Sequence, residues 1–289
     1  MKRIERAAPW YNVAMEKPTI SIIIPALNEE KFLPQLLQSL IEQSDKDFEV
    51  IVVDGKSKDK TVEKANLFRT RIKNLNVIVA DHASLPYQRN IGAKNSSKNW
   101  FLFVDADSLL LPYAIERIKL HIESKPEINF FTTWSKPDTE HVNDAILSNF
   151  YNLLFDGSKT LKLPVGSGPF TGVKRDIFQN IHGYDEDHPF LEDADLRNRL
   201  EKTGVYLTII HETLFVWSMR RMRKQGVMKV MQAYMKSIVP FVFFKTIPKG
   251  MKGYDMGGHE FTGKQKRPNA SVLKRLLADA KKLMKEVFE

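Results

Sequence analysis

Short, unbroken apolar runs alternate along the chain with longer segments whose apolar residues recur at helical spacing. Thr19–Pro25, Phe48–Val53, Asn76–Ala80, Trp100–Val104 and Ile128–Thr133 each read as a strand. Where such a run is apolar throughout, both faces are expected to be buried, as at the centre of a parallel sheet. Between these runs, Phe32, Leu33, Leu36, Leu37, Leu40 and Ile41 lie on one helical face. Asn28 is a plausible N-cap for that helix, with Glu29 and Glu30 in its first turn and Pro34 placed early. Further helices are expected from near Thr61, from Pro86 to Ala93 and over Tyr113–Glu123. After residue 140 the alternation weakens. Asn143–Phe155 reads as a helix, a second runs from about Leu191 to Gly204, and Val205–Ile210 and Leu214–Trp217 read as strands. This order predicts an α/β fold with a doubly wound, mostly parallel sheet.

Ligands of open α/β sheets collect at the carboxyl ends of the strands. At those ends the sequence puts Asn28-Glu29, Asp54 and the pair Asp105-Ala106-Asp107. Two carboxylates spaced i, i+2 need a partner, because burying unpaired charge is costly. One reading is a divalent cation, Mg2+ or Mn2+, held by one or two carboxylates with substrate phosphates completing its shell. The other is a solvated turn with Asp107 capping a helix. Downstream, Pro164-Val165-Gly166-Ser167-Gly168-Pro169 is a loop whose glycines permit close backbone approach to a ligand. Glu192-Asp193 opens a helix, where acids also suit the dipole.

Composition narrows the classes. The 289 residues hold 43% hydrophobic and 27% charged residues, as expected of a globular protein. No run approaches the ~18–20 apolar residues of a spanning helix. The first seventeen residues carry charges and Pro9 but no apolar core, so they do not read as a secretory signal. With no Cys there is neither a disulfide framework nor a thiolate metal site, which fits a cytoplasmic location. A formal charge of +9 points to an anionic partner: nucleotide, nucleic acid or membrane surface. Nucleic-acid binding would need a basic stripe interleaved with aromatics. Here the basic residues gather after residue 218 and no nucleic-acid-binding motif is visible, so no nucleic-acid partner is expected. A nucleotidyltransferase, the alternative enzyme, lacks support from a glycine-rich phosphate signature.

The ordered set of motifs resembles glycosyltransferase family 2 with the GT-A (Rossmann-like) fold. The matching pieces are Ser21-Ile22-Ile23-Ile24-Pro25-Ala26-Leu27-Asn28-Glu29-Glu30, Val52-Val53-Asp54-Gly55 and Arg89-Asn90-Ile91-Gly92-Ala93. Phe103-Val104-Asp105-Ala106-Asp107, Gly183-Tyr184-Asp185-Glu186, Glu192-Asp193-Ala194-Asp195-Leu196 and Ser218-Met219-Arg220-Arg221 follow in family order. The resemblance implies a metal-dependent, inverting transfer of sugar from a UDP-, GDP- or dTDP-sugar to a hydroxyl of a lipid-linked or polysaccharide acceptor in cell-envelope glycan synthesis. It assigns Pro25, Ala26, Asn28, Glu29, Asp54, Arg89, Asp105, Ala106, Asp107, Arg220 and Arg221 to the nucleotide sugar, with Asp107 and Asp105 at the metal. Asp193 becomes the general base, its pKa raised by Glu192 or Asp195, and Gly168 and Glu192 fall beside the acceptor. The expected catalytic domain spans 18–218, with a nucleotide half to about 108 and an acceptor half beyond it. Many relatives carry two adjacent acids after the second strand, whereas this chain has Asp54-Gly55, so base or ribose contacts are expected to differ. His211, a conceivable extra ligand, falls before Trp217-Ser218 and is left unassigned.

Residues 219–289 read as a basic amphipathic helical extension. Val227, Val230, Met231, Tyr234, Met235 and Ile238 share a helical face edged by lysines, and Ser271 precedes a similar final segment. Such faces suit either an anionic membrane surface or packing on the domain.

Overall fold

A computed structural model describes residues 16–139, 142–160, 166, 168–188 and 191–226, together with 229 and 232. The segments expected after residue 226 otherwise lie outside the described residues. The chain runs β1 (Ile20–Ala26), α1 (Leu33–Ile41), β2 (Phe48–Asp54), α2 (Thr61–Asn66), β3 (Leu75–Val79), α3 (Leu85–Lys94) and β4 (Trp100–Val104). It continues through β5 (Leu109–Leu110), α4 (Ala114–Ser124), β6 (Phe130–Pro137), α5 (Val142–Thr160), β7 (Phe170–Lys174), α6 (Arg175–Asn180), α7 (Glu192–Lys202), β8 (Thr208–Trp217) and α8 (Arg220–Gln225).

One eight-stranded sheet has the order β3-β2-β1-β4-β7-β6-β8-β5. The first four strands in that order are parallel. β7 then inserts antiparallel to both β4 and β6, β6 and β8 run parallel, and the short β5 closes the far edge antiparallel to β8. Successive residues of the central strands feed opposite cores. Ile22 and Ile24 pack with Leu33, Leu36, Leu37, Ile115 and Ile118 of α1 and α4. Ile23, Phe101 and Phe103 pack with Phe178, Leu196 and Leu200 of α6 and α7. Layers on both faces keep the sheet dry and leave its carboxyl edge for polar groups.

The structure corrects several local expectations. Asn28 does not cap α1. It takes a left-handed conformation with φ 54°, which Asn tolerates, and the chain turns once more before α1 starts after Phe32. The carbonyl of Glu29 accepts from the amides of Phe32 and Leu33 in that turn, so Glu29 and Glu30 precede the helix. Pro34 does fall in the first turn of α1. Asp107 caps no helix either, because β5 follows it and α4 begins at Ala114. The two strands expected at 205–210 and 214–217 are one strand, β8, with an irregular register against β6 near Trp134. β7 was not anticipated, since Thr171 and Gly172 break its apolar run.

Candidate active site

The loops after β1 and β2 lock together. Asp54 is buried, and its carboxylate accepts from the amide of Ser57 at 2.8 Å and from the Ser57 hydroxyl. The Ser57 Oγ in turn accepts from the Asn28 amide at 2.8 Å, and Asn28 Oδ1 accepts from the Lys58 amide at 2.7 Å. Thr61 Oγ1 accepts from the Glu29 amide at 2.8 Å. Pro25 and Ala26 are buried inside β1, beside Val53 and Asp54, and the Ala26 carbonyl accepts from the Gly55 amide at 2.8 Å.

Beyond β4 two buried arginines each bridge one carboxylate of the D-x-D pair to a distant acid. Arg89, on α3, reaches Asp105 at 3.1 Å and Glu192 at 2.8 Å, with its guanidinium 5.1 Å from the centre of the Tyr184 ring. Arg220, opening α8, donates to both oxygens of Glu29 at 2.9 and 2.6 Å and meets Asp107 at 2.9 Å. Its guanidinium lies 4.4 Å from the centre of the Phe32 ring. Between the two acids, Ala106 turns into the apolar core. Arg221 is half-buried, and its charge acts on Asp107.

Burial shifts three acids of these bridges, Glu29, Asp107 and Glu192. It pushes Glu29 up to about 7 against the opposing pull of Arg220. It raises Asp107 as well, again opposed by Arg220. Glu192 rises to about 7 through burial and then the charge of Asp193, with Arg89 opposing. Proximity of two acids therefore lifts Glu192. The other neighbour, Asp195, pairs with Arg199 at 2.7 Å.

Asp193 is held by backbone. Its Oδ2 accepts from the Gly168 amide at 2.9 Å and its Oδ1 from the Ala194 amide at 2.9 Å. Gly166 crowds the same carboxylate, because a Cβ built there would sit 2.0 to 2.3 Å from its atoms. Leu191, just before α7, adopts a left-handed φ of 58°, a strained choice for this side chain that sets the exit direction of Glu192 and Asp193.

The expected residues thus fall into three groups along one edge: the loop lock of Asn28 and Asp54, the Arg220 bridge and the Arg89 bridge beside Asp193. Gln88 and Phe32 join them from outside the motifs, and Tyr184 joins them from the Gly183-Tyr184-Asp185-Glu186 motif without an expected role. His211 stands apart, paired with Asp156 at 2.9 Å and against the Trp134 ring. Among the described residues no group of three or more His, Cys, Asp or Glu side chains is arranged to hold a metal ion. A cavity of about 440 Å³ opens beside Asp107, lined also by Phe32, Leu109, Lys136 and Val216.

Comparison with known proteins bears on the family and the fold. The sequence profile of glycosyl transferase family 2 matches residues 21–181. A Haemophilus influenzae protein described as an uncharacterized glycosyltransferase is 32% identical over 187 residues, covering 63% of this chain and 61% of its own length. A PGL/p-HBAD biosynthesis glycosyltransferase of Mycobacterium bovis is 38% identical over 97 residues, covering 33% of this chain and 38% of its own. The chain thus spans less than two thirds of each of these relatives. Among solved structures, Staphylococcus aureus TarS 1–349 with UDP-GlcNAc superposes with a TM-score of 0.58 at 17% identity, over 78% of this chain and 73% of the other. The Pyrobaculum calidifontis mannosyltransferase PcManGT, in complex with GDP-Man and Mn2+, gives 0.63 at 17% identity, over 81% and 67%. At such identities the structures speak for the shared fold. With its mixed, mostly parallel sheet of GT-A type and a family match over more than half its length, the chain belongs to glycosyltransferase family 2.

Proposed function

We propose that this chain transfers a sugar from a nucleoside-diphosphate sugar to an acceptor hydroxyl with inversion at the anomeric carbon. The observation that carries this reading is the Arg89 bridge, which ties Asp105 of the D-x-D pair to Glu192, the neighbour of Asp193. A donor carboxylate and a candidate base are thereby held in one rigid unit. Asp193, braced by two amides, would take the acceptor proton as the hydroxyl oxygen bonds to the anomeric carbon. The bond from that carbon to the diphosphate oxygen breaks, and the electron pair leaves with the diphosphate. Arg220 and Arg221 stand on the Asp107 side to meet that charge.

The donor set fits Mn2+ or Mg2+. Asp105 and Asp107 are hard oxygen ligands spaced i, i+2, and a protein offering one or two carboxylates leaves the rest of the shell to phosphates and water. A bound cation would supply Lewis-acid stabilisation of the diphosphate. Arg220 now occupies the Asp107 carboxylate, so binding a cation there requires the two to share it. UDP, UDP-GlcNAc and GDP-Man in structural neighbours make uridine and guanosine donors the first to try. The motif resemblance favours a lipid-linked or polysaccharide acceptor in cell-envelope glycan synthesis, and one relative is named for PGL/p-HBAD biosynthesis. No helix among the described residues is long and apolar enough to cross a membrane. The basic, amphipathic sequence after residue 226 would suit contact with an anionic membrane surface.

A thermal-shift screen of UDP, GDP and dTDP with and without Mn2+, on wild type and Asp107→Ala, tests the donor site. A ligand that binds only the native state raises its stability. Stabilisation by one diphosphate that needs both metal and Asp107 is the expected result. Silence with every diphosphate would count against the reading. Anomeric analysis of the product tests the stereochemistry, and retention would remove Asp193 from its role.

A further inference from the structure

An acid outside every motif fastens α8 to the sheet. Asp138 directly follows β6, and its amide donates to the Trp217 carbonyl at 3.1 Å. Its Oδ1 accepts from the Met219 amide at 3.2 Å and its Oδ2 from the Ser218 hydroxyl at 3.3 Å, where the chain enters α8. One turn later Arg223 closes on the same carboxylate, Nη1 on Oδ1 and Nη2 on Oδ2, each at 2.6 Å. Behind that guanidinium lies Asp144, buried on α5, 3.5 Å from Nη1 and accepting from the Thr139 hydroxyl at 2.8 Å. Two parallel charge-assisted bonds fix direction as well as distance. The placement of α8 against β6 is set at both its entry and its far side.

The same short helix carries Arg220 and Arg221. Arg220 has its own partners, Glu29 and Asp107, but they belong to the edge where a diphosphate and its cation would compete for them. Once a cation shares Asp107, that contact no longer fixes where the guanidinium stands. Asp138 is in a different position. Together with Ser218 it lines the cavity beside Asp107, yet its four acceptor positions are filled by four donors from Ser218, Met219 and Arg223. The carboxylate is spent on holding α8, with no lone pair left for a ligand.

We infer that Asp138 is a positioning residue for the donor: it acts through Arg223 and α8 to hold Arg220 and Arg221 where the terminal phosphate arrives. This inference rests on the nucleotide-sugar reading above and adds to it the group that places its two cations. It also predicts which part of the donor is affected. Asp54 and Asn28, at the ends of β2 and β1, are separated from β6 by β4 and β7, so contacts at that end do not pass through Asp138.

Calorimetric titration of the full chain with UDP and GDP, and with UMP and GMP, each with Mn2+, measures the share of the terminal phosphate. Asp138→Asn keeps the size of the side chain but removes its charge and sets an amide nitrogen against Arg223 or Ser218. The side chain is 24% exposed, so the neutral amide is tolerated. The preferred diphosphate is expected to bind roughly 10-fold or more weakly, about the worth of one charge-assisted hydrogen bond, while its monophosphate changes by no more than about twofold. Arg223→Gln breaks the same bond from the helix side and is expected to give the same selective loss. The double variant is expected to lose no more than either single one, because the pair acts as one unit. It strands neither partner of the pair, and so keeps the measurement possible should a single variant unfold. Equal weakening of diphosphate and monophosphate would reduce Asp138 to a structural role and overturn the inference, as would an unchanged diphosphate affinity or additive losses in the double variant. Each of those outcomes leaves the donor reading intact. Absence of binding by any diphosphate to the wild type would overturn both.

Discussion

Arg220 donates two hydrogen bonds to Glu29 across 191 residues of sequence, and the same guanidinium meets Asp107 at 2.9 Å. One cation at the start of α8 thereby fastens the last described helix to the loop after β1 and to the D-x-D pair. The side chains of Arg220 and Glu29 are 9% and 7% exposed, so neither has bulk water as a substitute partner. Removing one member of such a pair strands the other charge, at a cost of about 3–5 kcal/mol. Replacing both by apolar groups avoids that penalty.

Arg220→Met is therefore expected to lower the stability measured by urea unfolding by roughly 3–5 kcal/mol. The double variant Arg220→Met with Glu29→Leu is expected to recover only the part of the loss that comes from stranding Glu29, because Asp107 still loses its partner. A double variant as unstable as the sum of the two single variants would show that the pair is not the unit that matters.

The placement of Asp193 depends on a neighbour with no side chain. Gly166→Ala would force a methyl group into the carboxylate and displace it, while the elements of the fold stay as they are. A misplacement of about 1 Å can cost on the order of 100-fold in rate. We expect turnover, followed by nucleotide release, to drop by about that factor, with the circular dichroism spectrum and diphosphate affinity unchanged. Wild-type turnover from the variant would mean that Asp193 is not held where the reaction needs it.

Asp193→Asn tests the base directly. It retains size and can accept from the Gly168 amide, but it cannot take a proton. A loss of about 10²- to 10⁴-fold in kcat with unchanged donor affinity is expected. A variant with near wild-type kcat would move the base to another group, with Glu192 the first to examine.

Stability should fall as pH rises toward neutrality. Glu29 and Glu192 go from an ordinary value of 4.5 to about 7 in the folded chain. Between those values the folded state holds protons that the unfolded state has released, so stability present at and below pH 4.5 is lost as pH climbs through about 7. Glu49, Asp185 and Glu212 are shifted downward instead, and their contribution fades only on the acid side. Urea midpoints measured from pH 5 to 8 should decline, and Glu192→Gln should show a shallower decline. Parallel slopes for the two proteins would exclude Glu192 as a source.

Much of the edge that carries the site was legible before any coordinates. Apolar runs as dense as Ile20–Ile24 and Trp100–Val104 have nowhere to go but a sheet covered on both faces, and the polar residues that end them must then meet at one edge. Asn28, Asp54, Asp105 and Asp107 stand at that edge for this reason. The start of α1 differs from its expected place because Asn can leave the helical region as readily as cap a helix, and local sequence does not say which. β7 escaped notice because its residues owe their strand conformation to β4 and β6 on either side.

By itself, the sequence determined that a doubly wound α/β sheet would form, which strand ends would be polar and which ordered motifs would line them, since these follow from local periodicity and chain order. Only the tertiary structure decided which charges pair. Arg89 bridges Asp105 and Glu192, Arg220 bridges Glu29 and Asp107, and Gln88 donates to the Ala26 and Val53 carbonyls. Those partners lie far apart in the chain and carry no periodic signal. Burial selects them, because once the edge is desolvated each carboxylate and each amide must find the counterpart that the packing of the helices brings within reach.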